Sequence, residues 1–429
     1  MNILVLGSGG REHTLAWKIS QSYNCTEVYV APGNAGTELV AINVDIAVND
    51  FDAIGAFVKE NDIDLVVVGP EDPLVNGIRD YFEADEVLKS VKLVGPGKAG
   101  AQLEGSKDFS KAFMEKHGVP TAKAQTFTAD TLNEGLEYLK GCDLPIVLKA
   151  DGLAAGKGVV IAETLKEAED SLKSMLVDKQ FGEASSKVLI EQFLKGIELS
   201  VFVLTDGKDY IVLPEAKDYK RIGEGDTGLN TGGMGAVSPV KFADAEFMQK
   251  VEERVIKPTV DGLAKDGIDY KGFIFIGLMN VGGDPYVIEY NVRMGDPETQ
   301  VVIPRIKSDV VDMLDAAATG QLHDYKLEIS DYTAAGVVLV AGGYPGSYEK
   351  GKSIQGLADV MDSFVIHAGT KQVDYEVLTN GGRVLTVVGR GADLEDALKD
   401  AYKTVKSISW EGMYYRKDIG KDILSARIV

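Results

Sequence analysis

The first hundred residues alternate short apolar runs with amphipathic stretches. Apolar runs lie at 2–6, 27–31, 65–68 and 92–94, and a turn containing glycine follows each of them. Helical spacing follows the first run and returns at 52–60. Strands that alternate with helices predict an α/β fold with an open parallel sheet, and ligands bind at the carboxyl edge of such sheets.

From about residue 103 the pattern favours antiparallel strand pairs. A helix is predicted at 106–117. Strands at 146–149 and 158–161 flank a connection rich in glycine and alanine, which predicts a hairpin with close backbone access. Strands at 273–280 and 285–292 predict a second hairpin.

Further strands and one glycine-rich segment complete the pattern. Residues 223–235 contain six glycines, a composition that predicts a single loop whose backbone approaches a ligand. The remaining predicted elements are strands at 188–193, 199–204, 211–214, 335–340 and 383–389 and a helix at 394–408.

The charge balance argues against several functions. Lys and Arg number 45 and Asp and Glu 66, so the net charge of the 429 residues is −21. Phosphate backbones and anionic lipids would repel such a chain, so we expect no nucleic-acid or membrane partner. We also expect no signal peptide and no membrane span. Cys25 and Cys142 are too few for a disulfide framework, so we expect a cytoplasmic protein. The length of 429 residues predicts about three domains.

The first glycine turn, Gly7-Ser8-Gly9-Gly10, superficially resembles a dinucleotide-binding motif. The third motif glycine is replaced by Glu12, and the second strand ends at Ala31-Pro32 without an acidic residue for a ribose hydroxyl. A nicotinamide site is therefore disfavoured. A phosphate bound by the turn and a plain structural turn both remain open.

The connection at 152–158 does not match a P-loop, because Gly152 is one residue too close to Gly156 and Gly158 stands where Ser or Thr should bind magnesium. A hairpin whose backbone amides close over phosphates remains open, with Lys149 as a nearby positive charge. The alternative is a lysine that is simply solvated.

A polar strand face is predicted at Glu289, Asn291 and Arg293, because alternate residues share one side of a strand. A carboxylate and an amide oxygen so spaced can share one hard cation bound to phosphates. Asp296 and Glu298 add carboxylates in the turn that follows. The alternative is an exposed polar face on a half-buried strand.

A basic cluster is predicted where Lys217, Lys220 and Arg221 surround Asp218, next to the glycine-rich loop, and it suits an anionic group. The four histidines show no spacing typical of zinc ligands. We rate His13, beside the first glycine turn, equally as a packing residue and as a ligand.

Several motifs occur in a fixed order along the whole chain. The chain contains LGSGGREHTLAW (6–17), GPEDPLVNGIRD (69–80), GSKDFSKAFM (105–114), LKADGLAAGKGVV (148–160), EQFLKGIELS (191–200), KRIGEGDTGLNTGGMGAVSP (220–239), IEYNVRMGDPETQ (288–300) and YYRKDIG (414–420). Together they resemble the phosphoribosylamine–glycine ligases (glycinamide ribonucleotide synthetases), a family of ATP-grasp enzymes. The NTGGMG and GDPETQ blocks distinguish this family best from other ATP-grasp ligases.

The resemblance implies a multidomain α/β and α+β architecture. It comprises an N-terminal open parallel α/β domain (1–102), a central ATP-grasp domain (103–120 with 196–328), a small lid subdomain (121–195) and a C-terminal α/β domain (329–429).

The resemblance also implies residue roles. ATP would contact Lys107, Lys149, Gly152, Gly156, Lys157, Gly158, Glu191, Phe193, Leu194 and Glu198. The metal, Mg²⁺ or Mn²⁺, would be held by Glu289 and Asn291. The reacting groups would face Asp218, Lys220, Arg293, Asp296 and Glu298, and the other substrate contacts would be Gly9, Gly10, Glu71, Asn230, Gly232 and Gly233.

Three positions depart from the family pattern. Tyr219 stands in place of a usual histidine, which puts an acid–base role there in doubt. Met294 replaces a usual Phe and Gln192 a second glutamate, and both are interpreted as tolerated changes of packing.

The implied reaction joins glycine to 5-phosphoribosylamine with ATP, through glycyl phosphate, in purine biosynthesis. Phosphoryl transfer requires positioning and charge neutralisation more than a protein nucleophile, and the lysines, arginines and glycine loops match that requirement. We expect a monomer. The alternatives are an ATP-grasp ligase with another substrate, a nucleotide-sensing binding protein and, least favoured, a nicotinamide dehydrogenase.

Overall fold

The computed structural model describes residues 1–152, 158–180, 182–360 and 363–425. The predicted ATP contacts Gly156 and Lys157 lie outside these ranges. Across the described residues, none of the helices combines the length and the apolar character that crossing a bilayer requires.

The N-terminal part is a parallel sheet, as predicted, with strand order β3-β2-β1-β4-β5. Alternate residues of the first strand enter two different hydrophobic cores, Ile3 and Val5 on one face and Leu4 and Leu6 on the other. A strand covered on both faces reads as a continuous apolar run. The elements are β1 (Asn2–Gly7), α1 (Gly10–Ile19), β2 (Glu27–Pro32), β3 (Ile42–Asn43), α2 (Phe51–Glu60), β4 (Leu65–Val68), α3 (Glu71–Val75), α4 (Ile78–Ala84), β5 (Lys92–Val94), α5 (Lys98–Gly105) and α6 (Lys107–His117).

A second, antiparallel sheet follows, with strand order β6-β9-β7-β8. Its strands β7 and β8 form the predicted hairpin, with Lys149 opposite Val159. Two helices pack on the sheet through a small core of their own. The elements are β6 (Ala124–Thr128), α7 (Leu132–Leu139), β7 (Ile146–Ala150), β8 (Val159–Ala162), α8 (Leu165–Leu176) and β9 (Lys187–Gln192).

The central part contributes strands to two large sheets, and β13 and β14 form a separate two-stranded sheet. One sheet is antiparallel with order β11-β10-β16-β17, and it includes the predicted hairpin around Gly282. The elements are β10 (Ile197–Thr205), β11 (Tyr210–Val212), β12 (Lys217–Asp218), β13 (Arg221–Gly223), β14 (Thr227–Asn230), β15 (Gly235–Ser238), α9 (Ala245–Val251), α10 (Lys257–Lys265), β16 (Gly272–Val281) and β17 (Asp284–Asn291).

The C-terminal part completes the other sheet, with order β12-β15-β18-β22-β19. Strands from the predicted central domain thus pair with C-terminal strands, which joins the two parts of the chain. The elements are α11 (Thr299–Val302), α12 (Val310–Thr319), β18 (Thr333–Val340), β19 (Phe364–His367), β20 (Thr370–Val373), β21 (Glu376–Thr379), β22 (Arg383–Gly391), α13 (Leu394–Val405) and α14 (Lys421–Ser425).

The prediction of a single glycine-rich loop at 223–235 is wrong. Strands β13 and β14 form a short hairpin, with Arg221 opposite Asn230, and β15 begins at Gly235. Gly225 and Gly228 have φ values of +67° and +79°, a backbone conformation that glycine adopts without a steric penalty. Gly225 therefore lies in the hairpin turn, and Gly228 gives β14 one residue with a positive φ.

Candidate active site

The predicted ATP-binding lysine Lys149 lies in a buried ion-pair cluster. Its Nζ is 2.6 Å from Oε2 of Glu191, and Lys111 Nζ is 3.0 Å from the other carboxylate oxygen. The three side chains are each less than a tenth exposed. Burial alone would raise the pKa of Glu191, but the two ammonium groups outweigh it and lower that pKa. One carboxylate thus faces two buried cations, which leaves an excess positive charge beside β7 and β9.

The start of α6 contacts the start of the glycine hairpin. The carboxylate Oδ1 of Asp151 accepts hydrogen bonds from the amides of Lys107 and Asp108 at 2.6 and 3.2 Å. The Lys107 ammonium donates to the Gly152 carbonyl at 2.8 Å. Burial lowers the pKa of Lys107, and Glu289 opposes that shift. Lys107, Lys149 and the described ends of the hairpin therefore lie in one region, as the phosphate role requires.

The predicted metal ligands lie at the end of β17. Ser200, Gly277 and Glu289 occupy paired positions on β10, β16 and β17. A Cβ at Gly277 would lie 3.2 Å from Glu289 Cγ, so the missing side chain makes room for this carboxylate. Burial would raise the pKa of Glu289, yet nearby lysines, led by Lys220, lower it. The carboxylate is therefore ionised at neutral pH.

The donor set around Glu289 and Asn291 suits a metal ion shared with a ligand. Among the described residues, neither side chain has a hydrogen bond or salt bridge to the protein, so their oxygens are available. Within the same ranges, no three His, Cys, Asp or Glu side chains come together in a way suited to a metal ion. Two oxygen donors fit a cation that takes its other ligands from phosphates and water.

Asp218 and Lys220 line a cavity together with Glu198 and Glu289. Lys220 Nζ lies 3.2 Å from Glu198 Oε2. Asp218 raises the pKa of Lys220 well above its ordinary value, despite burial. Burial raises the pKa of Asp218 in turn, opposed by Lys220. The predicted acidic and basic groups thus converge on one cavity.

Glu298, beside this cavity, is a second carboxyl group whose pKa is raised. Burial, followed by the charge of Asp218, raises its pKa to about 8. The Ser200 hydroxyl donates a long hydrogen bond of 3.5 Å to Glu298 Oε1. The raised pKa favours the protonated form of Glu298, which can donate a hydrogen bond.

Arg293 connects the N-terminal sheet domain to the end of β17. Its Nε donates to Glu71 at 3.2 Å and its Nη2 to Glu104 at 2.7 Å. The Met294 carbonyl accepts from its Nη1 at 3.3 Å. Burial would lower the pKa of Arg293, but Glu104 and then Glu71 raise it. Glu71 and Arg293, predicted from distant segments, are thus brought together.

The GDPETQ turn packs against the first glycine turn. Asp296 Oδ2 accepts from the Arg11 amide at 3.1 Å, and Glu12 Oε2 accepts from the Gly9 amide at 2.6 Å. A Cβ at Gly10 would contact Gln300 Nε2, so a side chain at residue 10 would displace the end of the Gln300 side chain. The backbone amides of Gly9 and Arg11, two of the groups that could bind a phosphate at this turn, thus donate to carboxylates of the protein.

The second glycine segment meets the same turn through Arg383. The Arg383 Nη1 donates to the carbonyls of Gly232 and Asp296 at 2.8 and 2.6 Å. A Cβ at Gly233 would lie 2.4 Å from Pro297 Cδ. Gly9, Gly10, Gly232 and Gly233 therefore lie around the turn that contains Asp296.

Other predicted residues lie at the edges of the site. Phe193 and Glu198 are exposed and Leu194 is half-buried, on either side of the β9 to β10 turn, and Asn230 is exposed at the end of β14. Two residues of the predicted basic cluster have partners other than Asp218. Lys217 forms an ion pair with Asp422 at 3.0 Å, and Arg221 donates to the Gly228 carbonyl.

Two positions left in doubt by the sequence are structural. The Tyr219 hydroxyl donates to Asp422 at 2.6 Å, and its ring packs against the C-terminal helices, away from the cavity. His13 is buried, and its Nδ1 accepts from the His367 amide at 2.9 Å. Burial lowers the pKa of His13 to about 3, so it is a neutral packing residue.

Sequence reasoning missed Lys111, Glu104 and Arg383. Lys111 carried a usable signal, because it lies four residues after Lys107 and thus on the same face of α6. Glu104 and Arg383 carried none, since a single charged residue in a helix or at the start of a strand is usually solvated.

The fold and the site described above define the class of the chain, an ATP-grasp protein. Solved structures with the same fold include the biotin carboxylase domain of the 2-oxoglutarate carboxylase of Hydrogenobacter thermophilus, with a TM-score of 0.70 at 17% identity over 96% of this chain and 91% of that one. The family model described as the phosphoribosylglycinamide synthetase ATP-grasp (A) domain matches residues 105–299.

The chain belongs to the phosphoribosylglycinamide synthetase family. The models of that family's N and C domains match residues 1–104 and 334–422. A curated relative from Salmonella typhimurium, named phosphoribosylamine–glycine ligase, is 48% identical over 426 residues and 98% of both chains. One of the same name from Clostridium acetobutylicum is 47% identical over 98% of this chain and all of its own length. The structure of a phosphoribosylamine–glycine ligase from Thermotoga maritima aligns with a TM-score of 0.85 and 35% identity, over 98% of this chain and all of that one.

Proposed function

We propose that this chain is an ATP-dependent ligase that joins glycine to 5-phosphoribosylamine. The products are glycinamide ribonucleotide, ADP and phosphate. The observation that carries the proposal is the convergence of Lys107, Lys149 and Lys220 close enough to Glu289 to lower its pKa, in a chain of this family. Such a site neutralises the charge of a transferring phosphoryl group and needs no protein nucleophile.

ATP occupies the cleft between the second sheet and the central sheet in this proposal. Lys107 and Lys149 contact its phosphates, and the hairpin between Gly152 and Gly158 closes over them. The base lies along Phe193 and Leu194 at the end of β9. The remaining contacts are with Glu191, next to the base, and Glu198, next to the ribose. The exposure of Phe193 in the described structure supports this placement.

A divalent cation would be held by Glu289 and Asn291, whose oxygens have no protein partner among the described residues. When bound, it would offset the negative charge of the ATP phosphates. The two-donor site suits Mg²⁺, and Mn²⁺ binds similar oxygen ligands. The lysines around Glu289 keep its carboxylate ionised, which is the form that binds a metal ion.

The reaction proceeds in two steps. A carboxylate oxygen of glycine attacks the γ-phosphorus of ATP, the bond to the β-phosphate oxygen breaks, and glycyl phosphate and ADP form. The amine of phosphoribosylamine then attacks the acyl carbon, loses a proton and releases inorganic phosphate. Lys220 and Arg293 stabilise the negative charge of the phosphoryl group, and Glu298 donates a hydrogen bond. Closure of the hairpin excludes the water that would hydrolyse the acyl phosphate.

The acceptor substrate lies between the first domain and the central domain in the same proposal. Gly9, Gly10 and Glu71 face it from one side, and Asn230, Gly232 and Gly233 from the other, with Asp218 and Asp296 at the reacting end. The contact between the 296–300 turn and the first glycine turn supports a site shared by both domains.

We further propose a cytoplasmic monomer with the domain limits given above, and no nucleic-acid or membrane partner. The net charge of −21 supports the last point. Light scattering of the purified protein tests the oligomeric state, and a mass near twice 46.1 kDa would contradict the monomer.

The test is ADP release with Mg-ATP while glycine and freshly made phosphoribosylamine are omitted in turn. Turnover that requires both supports the ligase, whereas ADP release with another acid or amine contradicts it. Glycine labelled with ¹⁸O in its carboxylate tests the intermediate separately. One label should appear in the released phosphate, and unlabelled phosphate would refute glycyl phosphate while leaving the ligase in place.

A further inference from the structure

Glu104 is a buried carboxyl group at the end of α5 that the reaction scheme does not use. Burial raises its pKa to about 7, and the charge of Arg293 opposes that shift. The Glu104 side chain is 7% exposed. Its Oε1 accepts from Arg293 Nη2 at 2.7 Å, and its Oε2 accepts from the Val292 amide at 2.8 Å. Both oxygens thus hold the short segment that follows β17, one through its backbone and one through its side chain.

The Arg293 guanidinium has a second carboxylate partner that is held less firmly. Glu71 is 31% exposed, and its contact with Arg293 Nε is 3.2 Å long. A substrate anion that approaches from the cleft can replace Glu71, because the outer and longer contact is the easier one to exchange. Glu104 is more buried and its contact is shorter, so it keeps that contact during the exchange.

Glu104 also lies close in sequence to the phosphate-binding region. Gly105 and Ser106 separate it from Lys107, and the Ser106 hydroxyl bonds to Asp151 at the start of the glycine hairpin at 3.2 Å. The carboxylate therefore fixes the position of Arg293 relative to the end of α5, from which α6 and Lys107 begin.

We propose that Glu104 is a positioning residue for Arg293. It holds the guanidinium in the orientation that faces the reacting phosphoryl group, without contacting the substrate itself. This inference rests on the proposed function of Arg293. A fixed guanidinium matters because a displacement of about 1 Å at a reacting centre can slow turnover roughly 100-fold.

The test begins with Glu104→Gln, which keeps the shape and removes the charge. We expect kcat to fall about 10- to 100-fold, while the KM for ATP changes less than about twofold. The matched control is Glu83→Gln, which removes a glutamate paired with Arg79 at 3.4 Å on the exposed side of α4. We expect the control to keep the kcat of the unmodified protein. A normal kcat in Glu104→Gln would overturn the inference.

A double-mutant cycle separates positioning from packing. If Glu104 acts through Arg293, adding Glu104→Gln to Arg293→Ala should lower kcat by less than about twofold further. An additional fall as large as in the unmodified background would overturn the inference. If Glu104→Gln does not fold, Glu104→Asp takes its place, because it retains the carboxyl group on a side chain that is one methylene shorter. Its kcat should lie between that of the unmodified protein and the value expected for Glu104→Gln.

A crystal structure of the variant tests the inference independently of turnover. We expect the Arg293 guanidinium to rotate away from residue 104, and an unchanged orientation would refute the inference. If the unmodified protein lacks ligase turnover, the proposed function fails. The orientation of Arg293 in the crystal structure of Glu104→Gln then decides whether Glu104 positions it. If the unmodified protein is active and Glu104→Gln is equally active, only the inference fails.

Discussion

Lys111 and Lys149 share the buried carboxylate of Glu191, and the structure predicts that only Lys149 binds ATP. An ammonium group has three donors. The donors of Lys111 reach Glu191 at 3.0 Å, Thr121 Oγ1 at 2.8 Å and the Ala122 carbonyl at 3.1 Å. Those of Lys149 reach Glu191 at 2.6 Å and the Ile288 carbonyl at 3.3 Å. Within the described part of the chain, Lys149 therefore retains a donor for a ligand.

The two substitutions Lys149→Met and Lys111→Met should therefore differ in turnover. A donor that stabilises charge developing in a transition state contributes about 100-fold or more. We expect Lys149→Met to lower kcat by that factor and Lys111→Met to lower it by less than about tenfold. Each variant leaves Glu191 with a single lysine partner and removes the lysine donor from one backbone carbonyl. Lys111→Met also removes the donor to Thr121 Oγ1. We expect each variant to lose about 1–3 kcal/mol of stability.

The assays are steady-state ADP release and thermal unfolding with and without ATP. A ligand that binds only the folded state raises the unfolding temperature. We expect ATP to stabilise the unmodified protein and Lys111→Met, and to stabilise Lys149→Met much less. An equal loss of kcat in both variants would refute the assignment of the free donor to Lys149. Full kcat in Lys149→Met would refute its role with ATP.

Three further predictions concern the metal, the family departure and acid stability. Glu289→Gln should lose most metal-dependent turnover while its circular dichroism stays unchanged, and full turnover at limiting Mg²⁺ would contradict the metal role. Tyr219→Phe should retain kcat, since the hydroxyl bonds to Asp422 outside the cavity, and should lower the unfolding free energy by about 1 kcal/mol. Burial lowers the pKa values of His13 and His367 to about 3 and 4 from an ordinary 6.5. The unfolded chain thus binds protons that the folded chain does not, so stability should fall from pH 6.5 toward pH 4, by up to about 1.4 kcal/mol per pH unit for each histidine. His13→Gln should reduce that slope in urea titrations across this range, and an unchanged slope would contradict the pKa shift.

The strands of the N-terminal sheet could be predicted because both of their faces are buried. Residues of β1 alternate between two cores, so every position from Ile3 to Leu6 must be apolar. The apolar run then has no helical period, and the glycine after it marks its end. The hairpin of β16 and β17 has a different signal, Gly282 and Gly283 between two strand-like runs. Strand β16 is mostly buried, whereas β17 alternates between buried and partly buried residues.

The glycine-rich segment shows where such reasoning fails. Gly225 and Gly228 lower the preference for a strand, and the segment has no apolar alternation, so a loop was predicted. The strands β13 and β14 form because tertiary contacts hold them. Arg416 donates to the Arg221 carbonyl at 3.0 Å and to Asp226 at 2.7 Å, and Asp418 accepts from the Gly225 amide at 2.8 Å. A contact between residues nearly 200 positions apart leaves no local pattern in the sequence.

Contacts between distant segments also determine which charged groups of the site can be predicted from the sequence. Motifs bring Lys149, Glu289 and Arg293 to attention because each lies beside a glycine turn or on a polar strand face. Their partners Lys111 and Glu104 lie in helices, where a lone charge is usually solvated. What makes them functional candidates is burial against a charge from another segment, since an unpaired buried charge would be strongly destabilising. The sequence can therefore indicate the groups that meet the substrate, whereas the groups that hold them in place become visible only when the fold brings the segments together.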